Sequence, residues 1–349
     1  MAHRLQLGLR HHPFRRDLRH VARDGAFPGQ GETEMKTIPH SPLEPTELAK
    51  WFAGVLVITY TIISLVPLAW IFMTSLRTPQ DAIAYPPKVV AEASLVGYVN
   101  LFTTRSRVSA EELAAQPPAT SWYEGLVREQ QMILAGPSRF SDRYLNSLLI
   151  GFGSTLLSVV LGTLAAYAFS RFRVPGKDDW LFFILSTRMM PPIAVAIPIY
   201  LMFRHLGLND THLGLILLYT VVNLSLAVWL LKGFMDEIPR EYEEAAMVDG
   251  YTRWQAFLKV VLPQAATGIA TTSIFCLIFA WNEYAFALLL TSGTAQTSPP
   301  FIPTIIGEGG LDWPAMAAGT TLFLLPVLVF TVLLRKHLLR GVTFGAIRK

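Results

Sequence analysis

Charge is what this sequence has least of. Only 15% of its 349 residues are Asp, Glu, Lys or Arg, against about 25% in an ordinary soluble domain. Mean hydropathy is +0.40, and the apolar residues are gathered into long runs, which a soluble core does not require. Cysteine is nearly absent: Cys276 stands alone, which excludes an intrachain disulfide framework and reads as a small packed residue in an apolar run. There is no phosphate-binding loop. The one Gly-Lys pair, Gly176-Lys177, runs into Asp178 and lacks the upstream glycine, so any ATP must be hydrolysed on another polypeptide. No His-Glu-x-x-His pair, Ser/His pair or pair of membrane aspartates points to an intramembrane enzyme. His205 and His212 flank a short loop without partners at metal-ligand spacing and read as solvated; no metal site and no catalytic residue is expected. Basic residues lie between apolar runs and not in a stripe with aromatics, which excludes a nucleic-acid partner. Residues 1–50 carry arginines and prolines but no apolar centre with a small-residue cleavage site; they read as a disordered cytoplasmic tail.

What is present is six apolar runs: Trp51–Met73, Tyr144–Phe169, Trp180–Phe203, Leu213–Leu231, Gly268–Leu290 and Met316–Leu334. Each is long enough to cross about 30 Å of hydrocarbon, and in lipid each must be helical to satisfy its backbone. Pro67, Pro198 and Pro326 fall inside runs and predict kinks. The fold class is therefore all-α, a polytopic membrane protein, with a transmembrane domain over 51–335 and a tail over 336–349. Lys and Arg set the orientation. Arg171, Arg173 and Lys177 follow run two; Lys232, Arg240, Arg253 and Lys259 follow run four; Arg335, Lys336, Arg340, Arg348 and Lys349 close the chain. Residues 291–315 carry neither Lys nor Arg. Both termini and the two basic loops are expected in the cytoplasm, and the long stretch 74–143 outside.

The loop over 232–263 is far longer than the roughly six residues a simple connection needs. Glu243 to Val248 has helical propensity with acids at its start, which suits the helix dipole. Gly250 supplies the positive φ of a sharp turn. Trp254, Phe257, Leu258 and Val261 recur at helical spacing and predict one apolar face. Pro263 suits the first turn of the next membrane helix. Glu244-Ala245-Ala246, then Gly250, then Val260 and Leu262-Pro263 resembles the EAA signature of ABC importer permeases, with Val where that family usually has Ile. The stretches Leu185–Pro192, Trp229–Phe234 and Trp281–Tyr284 look like maltose-type carbohydrate permeases, closest to the sorbitol/mannitol-like branch. The resemblance implies that this loop forms coupling helices docking on a cytoplasmic ATPase, a helix-in-groove contact. Glu243, Glu244, Ala245, Ala246, Asp249, Gly250, Trp254, Phe257, Leu262 and Pro263 would carry it. It further implies a heterodimer with a second permease subunit, two ATPase copies holding ATP and Mg, no cofactor on this chain, a periplasmic solute-binding protein, and a sugar or polyol as solute. An amphipathic helix lying on lipid would favour Lys and Arg on its polar face, whereas acids dominate here. An ion-coupled secondary transporter would show matching halves, and none is visible.

Polar groups inside the runs are functional candidates. Asn282 and Glu283 fall in run five, roughly 22 Å from its cytoplasmic end if the helix is continuous. They suit either contact with a solute or a structural bond to a neighbouring helix. Asn146 and Asn223 read first as amides joining helices. In the outer stretch, residues 104–137 look like an insertion relative to the family. Ser109 caps one short helix, and Trp122, Tyr123, Leu126 and Val127 share a face of a second. Together they predict a helical hairpin whose aromatic face packs on the outer helix ends or meets the solute-binding protein. Met35 is a candidate start, because residues 1–34 look unlike the family. Gly341, Thr343, Phe344 and Gly345 resemble the tail that sugar permeases insert between the ATPases.

Overall fold

A computed structural model describes residues 46–89, 91–307 and 310–343, with side chains to 333. The expectations for residues 1–45, for Met35 and for the side chains of the basic tail lie outside the described residues. The chain divides into two units, Met1–Thr61 and Ile62–Lys349. Helix α1, Glu47–Ser75, runs through the boundary. In the second unit its side chains Ile62, Ile63, Leu65, Val66 and Leu68 are exposed, a surface suited to lipid.

Between α1 and the next long helix lie α2 (Pro79–Ala82), α3 (Val96–Phe102), strand β1 (Thr103–Arg107), α4 (Ala110–Ala114), α5 (Trp122–Arg128) and β2 (Met132–Pro137). Both helices expected in the insertion are there. Ser109 and Glu112 form a reciprocal capping box at α4. The hairpin, however, rides on an antiparallel β1–β2 ribbon with a bulge between Thr104 and Arg105. The sequence Thr-Thr-Arg-Ser-Arg gives no apolar alternation, so the ribbon was illegible. The expected aromatic face is also divided. Val127 is fully buried against Val99 and Met132, while Trp122 and Tyr123 remain 64% and 42% exposed. The insertion is tied down by Asp312, which receives Arg105 Nη2 at 2.9 Å and Asn100 Nδ2 at 2.8 Å.

The bundle proper consists of α6 (Phe140–Arg171), α7 (Lys177–Ser186), α8 (Pro192–His205), α9 (His212–Glu237), α10 (Glu241–Val248), α11 (Arg253–Gln264, with a π-helical turn at Phe257–Val261), α12 (Ala266–Trp281), α13 (Ala285–Leu290), α14 (Ser298–Phe301) and α15 (Trp313–Thr343). A two-stranded ribbon, β3 (Ile306–Gly307) and β4 (Gly310–Leu311), precedes α15. Among the described residues four helices are long and apolar enough to cross a membrane, or up to six if each bent pair is one span. Helix α6 shows why the bundle closes. Ser147, Gly151, Ser154, Thr155, Ser158, Gly162, Ala166 and Ser170 are all buried along it, at spacings of three and four. Small side chains let membrane helices approach closely. At Gly162 a β-carbon would stand 2.6 Å from Ala227 Cβ of α9, so no larger residue fits. Ser158 Oγ donates to Thr220 O at 3.2 Å across the same contact. Trp281 of α12 stacks on Phe323 of α15 at 4.7 Å and donates to its carbonyl.

Runs three and five are not the continuous helices expected. Run three turns by 95° between α7 and α8. The break is at Met190-Pro191 and not at Pro198, which lies inside α8. Met190 precedes a proline and is held extended, at φ −73° and ψ 123°. Run five stops at Trp281; Asn282 leaves helical geometry and the chain resumes as α13. Pro263 belongs to α11, before a 72° bend at Ala265, and not to the first turn of α12.

Candidate functional site

At the end of the bundle rich in Arg and Lys, α10 and α11 form a cross-piece. Gly250 has φ +91°, so the turn between them needs a residue without a β-carbon. Thr252 then caps α11 in a second capping box with Gln255. The sequence-derived site residues separate into two layers. Glu244, Ala245, Asp249, Gly250 and Pro263 are exposed, Leu262 is half-buried, and Trp254 is 57% exposed. They share this surface with Val248, an apolar residue 87% exposed at the tip of α10. Ala246 and Phe257 are buried. The single apolar face expected for α11 is thus split by the π-helical turn. Phe257 and Val261 point into the core, the Phe257 ring lying tilted against Tyr167 at 4.6 Å, while Trp254 and Leu258 stay on the surface.

Glu243 corrects the sequence reading most. It was grouped with the docking acids, yet it is 5% exposed. Its carboxylate accepts from Tyr167 Oη at 2.8 Å and from Arg171 Nε. Arg171, one of the residues that set the orientation, is equally buried. Its other nitrogens donate to Ser170 Oγ and to the carbonyls of Met235 and Ile238, each at 2.9 Å. Arg240 donates to Ser170 O at 2.6 Å, and Ser170 Oγ to Asp236 Oδ1 at 2.6 Å. The last turn of α6 is therefore bonded to the last turn of α9 and to α10. Buried charges persist when paired and hydrogen-bonded, and every nitrogen of this guanidinium is engaged.

The intramembrane candidates fall at three places. Glu283 accepts from Tyr219 Oη at 2.8 Å and from the backbone N–H of Phe286 and Ala287, both at 3.0 Å. It caps α13 where run five breaks, a structural role. Asn282 bonds only within its own chain segment, to Ile278 O at 2.8 Å, and is otherwise exposed. The two neighbours in sequence thus part company. Asn146 donates to Thr294 O and Gln296 O at 2.8 and 2.9 Å, and its Oδ1 lies 2.7 Å from His212 Nε2. His212 is accordingly a half-buried partner of α6 and not the solvated loop residue expected; His205 is exposed. Asn223 is buried, with Nδ2 donating to Cys276 O at 3.2 Å and Oδ1 without a partner among the described residues.

Asp210, not singled out from sequence, accepts from the backbone N–H groups of Ser292, Gly293, Thr294 and Ala295. Burial opposes its charge, but these four donors prevail and hold its carboxyl below the ordinary 3.8. Arg188 was missed as well. It is the one basic residue within the six apolar runs, a signal that was available. It sits at the 95° break, with its guanidinium 4.1 Å from the centre of the Phe279 ring. No group of three or more His, Cys, Asp or Glu fit to hold a metal occurs among the described residues.

Residues 158–344 match the family described as binding-protein-dependent transport system inner membrane component. The chain is 34% identical over 288 residues to the trehalose transport system permease protein SugB of Mycobacterium tuberculosis, covering 82% of this chain and 93% of the relative. It is 30% identical over 229 residues to the trehalose/maltose transport system permease protein MalG of Thermococcus litoralis, with 65% and 82% covered. The fold is similar to a chain of a bacterial ABC transporter involved in the import of the acidic polysaccharide alginate. There the TM-score is 0.61 at 19% identity, with 84% of this chain and 98% of that one covered.

Proposed function

The chain belongs to the family of binding-protein-dependent transport system inner membrane components, as the permease subunit of an ATP-binding-cassette importer, and we propose that it passes a sugar or polyol inward. The observation that carries the mechanism is the two-layered cross-piece. Glu244, Val248, Asp249 and Trp254 offer a surface of acids and exposed apolar side chains, suited to a groove on an ATPase. Beneath it, Glu243, Tyr167 and Arg171 bond that surface to α6.

The chain binds no cofactor itself. ATP and Mg are held by two copies of a cytoplasmic ATPase, and their closure moves α10 and α11. A second permease subunit completes a heterodimer, and a periplasmic solute-binding protein delivers the solute to the opposite end. The Arg- and Lys-rich end with α10 and α11 faces the cytoplasm, as do both termini, in keeping with the distribution of basic residues. The sugar or polyol reading is supported by the names of the relatives, which transport trehalose and maltose. Transport of labelled sorbitol, mannitol, trehalose and maltose into vesicles bearing the assembled importer tests it. Uptake of at least one, dependent on ATP and on the binding protein, is the expected result. An ion gradient that drives uptake without ATP would restore the secondary-transporter alternative.

A further inference from the structure

Arg188 falls near the midpoint of the span by two measures of helix rise. It follows Lys177 at the basic end by roughly 16 Å of helix rise, and it touches Val222, which is about 15 Å from the opposite end of α9 at His212. Half of a bilayer core is about 15 Å. Two features here are incompatible with lipid. A guanidinium at mid-membrane is expensive unless it meets protein or water. A helix broken by 95° leaves backbone groups unpaired, tolerated only in protein or beside an aqueous cavity. A cavity lined mainly by apolar side chains stands at the break. Arg188, Phe183, Met190, Met202, Val222 and Phe286 line a space of about 670 Å³ in the angle between α7 and α8. That volume falls within the range of small-molecule sites.

The guanidinium is poorly employed by the protein. Its single hydrogen bond, from Nη1 to Val222 O, is 3.4 Å long, and no carboxylate pairs with it among the described residues. Phe279 supports it from one side. Arg171, by contrast, has every nitrogen engaged. A planar set of N–H donors held on an aromatic ring, beside apolar walls, is matched by a polyhydroxylated solute: oxygens for the donors, C–H faces for Phe183 and Phe286.

We propose that Arg188 is a solute-contact residue of the translocation path, donating to hydroxyl oxygens of a sugar or polyol in transit. This rests on the sugar or polyol reading above and adds the place of contact. Cys276 as the sole cysteine makes the test direct. In a Cys276→Ala background, Arg188→Cys is treated in the assembled importer with a membrane-impermeant methanethiosulfonate, and the mass of this chain is read. Val66→Cys on the exposed face of α1 serves as the lipid control. Arg188→Cys should be modified and Val66→Cys not, and sorbitol, mannitol, trehalose or maltose, whichever is transported, should slow the modification. No modification in either the nucleotide-free or the ATP-trapped state overturns the proposal. Protection by an amino acid and by none of these four retains the aqueous position but removes the sugar or polyol assignment and the hydroxyl contact with it. A second variant, Arg188→Met, should lower uptake roughly tenfold, the factor set by a lost hydrogen bond from a charged donor. The melting temperature of the detergent-solubilised complex should stay that of wild type, and Arg188→Lys, which keeps a cationic donor, should recover part of the uptake. If the melting temperature falls together with uptake, or Arg188→Lys recovers none of it, Arg188 is a structural residue and the proposal fails.

Discussion

The carboxylate of Glu243 and the guanidinium of Arg171 meet below the surface on which Glu244 is exposed. Adjacent acids in the sequence therefore do different things, and substitution should separate them. Glu243→Ala leaves Arg171 buried and unpaired, which typically costs about 3–5 kcal/mol. It should lower the melting temperature of the detergent-solubilised complex and reduce the amount in the membrane. Glu244→Lys should leave both unchanged and abolish binding-protein-stimulated ATPase activity. Equal melting temperatures for the two variants would contradict this division.

Gly250 offers a separate test of the docking surface. Proline is fixed near φ −65° and cannot adopt the +91° observed. Gly250→Pro should re-aim α11 relative to α10, leaving a chain that inserts in the membrane but no longer couples hydrolysis to uptake. Gly250→Ala should cost about 1 kcal/mol of backbone strain and retain part of the coupling. Wild-type uptake by a well-expressed Gly250→Pro chain would show that the turn does not set the geometry.

The loop Thr291–Thr297 is held by Asp210 and Asn146 from opposite backbone polarities, one accepting from N–H groups and the other donating to carbonyls. Because the carboxyl of Asp210 is depressed in the folded chain, its stabilisation is fully present above the unfolded value and is lost as pH falls through the lower folded value. Asp210→Asn should speed amide exchange of Ser292–Ala295 at neutral pH by about tenfold, the factor for weakened charge-assisted bonds. Wild type and variant should converge only below pH 3.8. Convergence already at pH 6 would mean another group controls the loop.

Trp122 and Tyr123 pack edge-to-face on each other, 5.9 Å apart, and otherwise stay exposed on the insertion. Packing on the protein's own helix ends leaves them uncovered, and we propose that the solute-binding protein contacts them. Aromatic anchors of this kind are typically worth over about 2 kcal/mol each. Trp122→Ala with Tyr123→Ala should raise the binding-protein concentration needed for half-maximal ATPase stimulation, with basal activity unchanged. An unshifted stimulation curve would remove the contact.

What could be read from the sequence follows from which forces leave a local trace. The α10 helix, the turn at Gly250 and the cap at Ser109 are local chemistry, visible in a few residues. So were the spans, because lipid demands long apolar runs. The breaks at Met190 and Asn282 were not foreseen, since hydropathy continues across them; the Pro191-Pro192 pair was a signal left unused. The burial of Glu243 depends on Arg171, 72 residues away. The split of Phe257 from Trp254 depends on one π-helical turn that shifts the helical phase. The β1–β2 ribbon joins polar strands whose pairing no pattern announces.

The small-residue contact between α6 and α9 has a mechanical consequence. Side chains such as Gly162, Ala227 and Ser158 have almost no rotamers with which to absorb a displacement, so the two helices move as one rigid lever. Its 32-residue arm, α6, is about 48 Å long. At one end it is clamped to α10 by Arg171 and Arg240; at the other Asn146 grips the Thr294–Gln296 loop. A tilt of roughly 5° about the clamped end sweeps the far end by about 4 Å over that length. That is more than a hydrogen-bond length, enough to open or shut contacts in the loop without unfolding any part of the helix pair.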